Sequence, residues 1–269
     1  MKSPAPLWPL LIAILLAAGP LPASADAAPP TATVDESFDG APPGPGSPSG
    51  WTAQPSTTGV WQVASAPGFG RVWRLSGTSF DRNGNASATR RIELVASRPW
   101  RLSSDFSLRE FAAASKAGLA RFGLGALGQR PLFASADGTD AAKYSFYLVD
   151  VRVSANDKPD SLTPVLRIVR FDDRGIPAVL AAETQFSRMP LAPGDRLRLV
   201  VNGTYNAGGA LTLEARLINL TQSTTTPAIT GVDGTPLSGA HFGYRHSEGR
   251  TGLTACELWN DNFSLSLQP

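Results

Sequence analysis

The residues best suited to chemistry crowd into one short segment, His241-Phe-Gly-Tyr-Arg-His246. Tyrosine and histidine can serve as base and acid in a proton transfer, with arginine beside them to neutralise an anion. Strand alternation divides the segment, because successive side chains point to opposite faces. His241 and Arg245 fall on one face, Tyr244 and His246 on the other, so only one half can meet a ligand. The same parity keeps the two histidines from acting as a metal pair. Cys256 is the single cysteine; it can form no intramolecular disulfide, and its apolar-alternating surroundings make it a buried thiol. Among the acids, Glu257 and Asp261 share parity but stand about 13 Å apart along a strand, too far for a retaining carboxylate pair. Asp81-x-Asn83-x-Asn85 opens like an EF-hand loop. Gly84 is misplaced and no glutamate follows at the twelfth position, so the segment reads as a turn.

Strands must position these residues. From Val34 onward, glycine and proline punctuate the chain every eight to twelve residues or so, the spacing of an all-β sandwich or barrel. Arg196 to Tyr205 alternates with Leu197, Leu199 and Val201 on one face, and Leu211 to Leu217 alternates again after a turn at Asn206–Gly209. With Leu199 facing Leu213, Arg198 lies opposite Glu214. Val165–Phe171, the turn Asp172–Gly175 and Ile176–Leu180 form a second hairpin. Tyr144–Arg152 is apolar on both faces and belongs in the middle of a sheet. A short helical turn fits Glu110–Ala117, stopped by Gly118. Around twelve strands in one domain imply two stacked antiparallel sheets.

The N-terminus has the anatomy of a secretory signal: Lys2, an apolar run from Leu7 to Ala18, then Ala23-Ser24-Ala25. The run is shorter than the roughly 20 residues that span a bilayer, and no cysteine-containing lipidation box follows. Residues 1–25 are therefore expected to be removed. Residues 26–33 form a disordered lead-in, residues 34–269 one domain, and the product is soluble, secreted or periplasmic, with no membrane insertion. The 24 basic residues less Lys2 leave 23 against 22 acids, too even to argue for nucleic acid. Only Lys116, Lys143 and Lys158 are lysines thereafter; the rest are arginines. Arginine pairs bidentately with carboxylate or sulfate, which makes an acidic polysaccharide a conceivable partner, although biased composition explains the excess as well.

Several pieces line up with a known superfamily. Glu36-Ser-Phe-Asp-Gly40, the loop ending in Gly50-Trp51, Val60-Trp61-Gln-Val63, the hairpin Arg196–Leu217 and the closing stretches Pro236–Arg245 and Leu258–Leu267 resemble concanavalin-A-like (laminin-G-like) jelly rolls, in particular secreted bacterial members. The resemblance implies an all-β, two-sheet antiparallel jelly-roll sandwich. It does not select a function, since the superfamily holds lectins, glycoside hydrolases, lyases and adhesion modules.

For catalysis, hydrolases of this fold carry Glu-x-Asp-x-Glu or its bulged form on one strand, and no Glu-x-Asp occurs in this chain. Lyases of the fold use tyrosine and histidine, which nominates Tyr244 and His246, but their Gln-x-His and Tyr-x-Lys motifs are missing. The resemblance also implies a structural calcium held by Asp261 on the last strand, with Asp35 and Glu36 at the N-terminal edge. For glycan binding, Trp100 and Trp259 are the expected exposed rings and Arg245 the polar partner, while Trp51 and Trp61 match core positions. The leading expectation is a secreted, non-catalytic module for glycan or another extracellular ligand. A polysaccharide-active enzyme, lyase-like before hydrolase-like, is the alternative, and a cell-surface interaction protein the second alternative.

Overall fold

Alternation of apolar and polar residues dominates the chain, and it is satisfied by strands alone. The computed structural model describes residues 32–54, 59–77, 85–94, 97–113, 119–131, 145–154, 162–181, 184–186, 188–248 and 253–268, among which there is no helix. In chain order the strands are β1 (Ala32–Glu36), β2 (Gly44–Pro45), β3 (Trp51–Gln54), β4 (Val60–Ala66), β5 (Gly70–Gly77) and β6 (Asn85–Arg91). Then come β7 (Trp100–Ala113), β8 (Leu119–Gly128), β9 (Phe146–Ser154), β10 (Val165–Phe171), β11 (Pro177–Val179) and β12 (Thr184–Gln185). The last are β13 (Leu197–Tyr205), β14 (Leu211–Asn219), β15 (Thr224–Thr225), β16 (Ile229–Asp233), β17 (His241–Glu248) and β18 (Leu253–Leu267).

They pair into two antiparallel sheets. The ten-stranded sheet runs β15-β14-β13-β7-β18-β5-β4-β2, with β1 beside β18 and β16 beside β14. The eight-stranded sheet runs β11-β10-β9-β8-β17-β6-β3, with β12 beside β10. Strands distant in sequence are neighbours: β7 lies between β13 and β18, and β17 between β8 and β6. Long connections therefore swap the chain between sheets, as in a jelly roll.

Between the sheets lies one continuous core. Leu102, Phe106, Leu199, Val201, Trp73 and Leu75 from the larger sheet meet Phe122, Leu124, Val149, Val151, Ile168 and Phe242 from the smaller. Burying each such side chain contributes about 1.5–3 kcal/mol, so a chain whose single cysteine is buried and forms no disulfide has stabilisation enough without one. Trp51 and Trp61 are in this core, as expected, and β9 is a central strand buried on both faces.

Two expectations about elements need correction. Glu110–Ala113 is not helical but the end of β7, because pairing with β18 (Glu110 with Glu257, Phe111 with Cys256) supplies the backbone partners a helix would otherwise provide. In the hairpin, Leu199 faces Leu217 rather than Leu213, and Glu214 lies opposite Asn202. The turn decides this register. Asn206 N–H donates to Ala210 O at 3.0 Å and Gly209, at φ 83°, donates to Asn206 O at 2.9 Å. Tyr205 is thereby set against Leu211 and every later pair follows. The second hairpin forms as read, with Val169 against Val179 across the Asp172–Gly175 turn. β1 begins at Ala32, two residues before the expected domain start. The signal segment 1–25, the turn at 81–84 and the end of the helical reading at 114–117 lie outside the described residues.

Candidate functional site

Alternation along β17 sorts its residues as the sequence implied, but the face carrying Tyr244 and His246 is the interior. Tyr244 is 0 % and His246 1 % exposed. The Tyr244 ring stacks on Trp51 with centroids 5.4 Å apart, and its hydroxyl is 2.9 Å from Ser104 Oγ. Ser104 in turn donates to Asp261 O at 2.6 Å. Burial holds the phenol well above its ordinary pKa. Asn260 Nδ2 donates to Trp73 O, so its Oδ1 faces His246 Nε2, at 2.9 Å, and that nitrogen carries the proton. Burial pushes the imidazole down to about 3. A base-and-acid pair so placed cannot reach a substrate; the two residues are part of the aromatic core.

Trp100 and Trp259 are also not the exposed rings expected. Trp100 is 0 % exposed and packs edge-on to Phe242 across the sandwich. It lies over Gly203 of the neighbouring strand β13, where any side chain would collide with the indole. Trp259 does sit on an outer face, that of the larger sheet, but is 8 % exposed. Arg109 covers its ring at 4.3 Å, Phe69 meets it edge-on, and its Nε1 donates to Glu257 Oε1 at 2.5 Å. Neither indole offers a free face for a sugar.

Two of the three carboxylates expected to hold calcium, Asp261 and Glu36, are already engaged by N–H donors. A bulge in β18 places Asn262 at φ 48°, where its amide donates to Asp261 Oδ1 at 2.8 Å and its side chain to Asp261 Oδ2 at 3.1 Å. Arg196 stands 3.7 Å from the same carboxylate. Burial, opposed by the Asn262 amide and Arg196, pushes the Asp261 carboxyl up to about 7. Glu36 accepts from Phe38 N–H at 3.0 Å and faces Arg90 at 3.5 Å, while Asp35 is exposed on β1 opposite Ser264. Among the described residues no three His, Cys, Asp or Glu side chains gather as metal ligands. A carboxylate beside a guanidinium and committed to amide donors does not fit a hard cation. Beside Asp261, Asp105 is wholly buried and accepts from Arg196, Arg198 and Asn262. That cluster neutralises itself.

Arg245 leads to a different surface. It projects from β17 onto the outer face of the eight-stranded sheet, in register with Ser87 of β6 and Gly123 of β8. Gly123 in turn pairs with Asp150 of β9, and Asp150 with Arg167 of β10. One row along, Ser247 pairs with Arg121 and Arg121 with Arg152. Gly123, Gly125 and Gly243 put no side chain in the middle of this face but are themselves buried, as is Arg245 at 6 % exposed, whose guanidinium lies 4.9 Å from the Phe171 ring and 5.6 Å from that of Phe146. Those two rings stack at 4.6 Å and form, with Leu148 and Val169, a small buried apolar cluster beside the charged row. Arg167 grips Asp150 with two hydrogen bonds of 2.6 and 2.8 Å. Burial pushes the Arg245 guanidinium down to about 10, with Asp150 opposing and Arg167 and Arg121 adding to the effect. Thr89, from the next row, donates to Pro131 O, which brings the chain leaving β8 back across the sheet.

Of the residues singled out from sequence, Arg245 belongs to this face, and so by parity does His241 at the start of β17, whose Nδ1 lies 3.1 Å from Gly128 O. Arg121, Arg152, Arg167, Asp150 and Ser87 went unremarked. Each arginine occupies an outward position in an alternating strand, and that parity was the available signal. Their convergence needed β8 to be known as the partner of both β9 and β17.

No family model matches the chain, and no curated protein is similar to it. Among solved structures, it is similar to a marine alginate lyase from Aplysia kurodai, with a TM-score of 0.53 at 10 % identity over 88 % of this chain and 100 % of that one. Lectin II from Ulex europaeus aligns with a TM-score of 0.48 at 15 % identity, over 88 % of this chain and 100 % of the lectin. An endo-β-1,4-glucuronan lyase from Trichoderma reesei aligns at 0.47 and 11 % identity, over 88 % and 96 %. The chain thus has the concanavalin-A-like jelly-roll fold, as its sequence resemblance implied.

Proposed function

We propose that this chain is an exported jelly-roll module that holds a glycan without transforming it. The observation that carries the reading is the inward placement of Tyr244 and His246, whose proton-transfer groups are sealed in the core. On the face where Arg245 lies, the carboxylate of Asp150 is locked to Arg167 and so is poorly suited to act as a free base. A polysaccharide as ligand class is supported by the fold shared with an alginate lyase.

The test is a panel of neutral and acidic polysaccharides offered to the full chain lacking residues 1–25. Retention is followed together with formation of unsaturated or reducing ends. Retention without new ends is the expected result. Either kind of new end overturns the binding-only reading in favour of a lyase or a hydrolase, and no retention on any glycan favours a structural or cell-surface interaction protein. Export is tested separately by sequencing the N-terminus of protein recovered outside the cytoplasm, which should begin at Asp26.

A further inference from the structure

One end of the sandwich opens to solvent through a pocket that loops from both sheets surround. Leu197, Leu199 and Val201 of β13 point into the core, and Tyr205, of the same parity, ends that row half-buried. Together with Leu94 after β6, Leu127 near the end of β8 and Leu237 between β16 and β17, it lines a cavity of about 240 Å³. Glu93, Ser97, Arg98 and Ser238 are its exposed polar rim. The walls are fixed by bonds made outside the cavity. Ile92 N–H donates to Ala240 O at 2.7 Å, Leu237 N–H to the Tyr147 hydroxyl at 3.1 Å, and Gln268 N–H to Pro99 O at 2.9 Å. Gly239 rests so closely on the backbone of Leu127 and Gly128 that no side chain fits there. Leu127 at φ 52° and Ser97 at φ 60° hold a left-handed backbone that such residues rarely adopt, a strain that gathers at ligand clamps. The polar groups of the rim are not used up by one another. Arg91 donates twice to Glu93 Oε1, and Glu93 Oε2 has no partner among the described residues. Arg98 donates to Gln268 O at 3.2 Å and keeps its other N–H groups. Burial raises the Tyr205 phenol above its ordinary pKa, opposed by the Trp100 side chain, so the hydroxyl keeps its proton.

We infer that this pocket holds one neutral sugar ring, the end or a side branch of a glycan, with Tyr205 against the ring, Glu93 accepting from its hydroxyls, and Arg98 and Ser238 donating to them. The inference rests on the glycan-binding reading and gives it a site. Size favours a single ring, because the cavity is smaller than the roughly 300–1,000 Å³ of pockets that enclose a drug-sized ligand. Tyr205 is the aromatic side chain of the lining, and the leucines beside it complete an apolar wall of the kind a sugar's C–H face meets. Sugar hydroxyls both donate and accept, and the rim offers both kinds of partner. One carboxylate and one guanidinium on the same rim cancel, so a uronate gains from Arg98 what it loses to Glu93. A cavity already shaped before the ligand arrives spares the cost of ordering its loops.

NMR titration of the protein used in the polysaccharide panel tests this. The probes are methyl glycosides of glucose, galactose, mannose and xylose, with those of glucuronic and galacturonic acid as charged comparators. At least one neutral glycoside is expected to bind, and salt should not release it. Ser238→Trp, which fills the pocket from an exposed position, and Tyr205→Ala should each weaken that binding at least about tenfold, and Glu93→Gln at least about threefold. Tyr205→Phe keeps the ring and should bind better than Tyr205→Ala. Ser238 and Glu93 are exposed, so the thermal midpoints of their variants should match the parent and a loss of binding cannot be a loss of fold. Extending the best methyl glycoside to its trisaccharide should raise affinity by no more than about tenfold, and a larger gain overturns the single-ring reading. Binding confined to uronate glycosides or released by salt, neutral binding untouched by Ser238→Trp, or retention on a polysaccharide with no glycoside bound overturns the inference while leaving glycan binding intact. A parent retained by no polysaccharide of the panel overturns both.

Discussion

His246 shows what burial does to a residue whose type promises catalysis. Folded, its imidazole is held neutral down to about 3; unfolded, it titrates near the ordinary histidine value of 6.5. As pH falls, the unfolded chain takes up this proton first. The stabilisation from His246 is therefore full above about 6.5 and is lost as pH falls through about 3. Asp261 behaves in the opposite sense. Its carboxyl is raised from 3.8 to about 7, so its contribution is full below 3.8 and is lost as pH rises through about 7. The two slopes oppose one another between 3.8 and 6.5 and flatten the profile. In His246→Gln, the urea midpoint should fall as pH rises across that interval; in Asp261→Asn it should fall as pH drops. Two profiles parallel to the parent's would refute both assignments. At this scale the sequence revealed the parity of His241, Tyr244, Arg245 and His246 and nothing about which face was the core. Parity is local, whereas the identity of a face depends on what packs against it.

At the scale of elements, β7 and β13 show how a neighbouring strand decides a side chain's fate. The hairpin β13–β14 was readable because both arms alternate around a turn rich in glycine. Its register was not, because a four-residue slip preserves the same alternation and only the turn's hydrogen bonds at Asn206 and Ala210 distinguish the two. Trp100 begins β7, beside an irregular segment, which made it look peripheral. The missing Cβ of Gly203 is what admits its indole to the core. Gly203→Ala should accordingly destabilise the fold by about 1–3 kcal/mol through overpacking, measured by denaturant unfolding. An unchanged midpoint would show that the indole does not occupy this place. The sandwich edge is tied in a similar inter-element way: Tyr147 of β9 donates to Asp233 of β16 at 2.6 Å, and Arg170 of β10 faces the same carboxylate at 3.2 Å.

At the scale of the molecule, one aromatic-rich core between two sheets is the source of stability. Of the three carboxylates expected to hold calcium, Glu36 accepts from Phe38 and Asp261 from the Asn262 bulge, while Asp35 is exposed; nearby, Asp105 binds Arg196 and Arg198. Chelation with EDTA should leave the thermal midpoint unchanged, and a marked drop reversed by calcium would restore the cation to the account. On the outer face of the smaller sheet, arginines from four strands come together around Asp150.

The sequence by itself determined the all-β class, the two-layer sandwich and the resemblance to jelly rolls, because alternation and turn residues are properties of neighbouring positions. It also determined the core role of Trp51 and Trp61 and the direction in which each residue of 241–246 points. Tertiary structure alone decided which direction was inside. It also assembled Arg121, Arg152, Arg167 and Arg245 from four strands separated by up to 124 positions in the chain (121 to 245). In a jelly roll such residues meet only after the sheets have exchanged strands, and no spacing along the chain records that exchange.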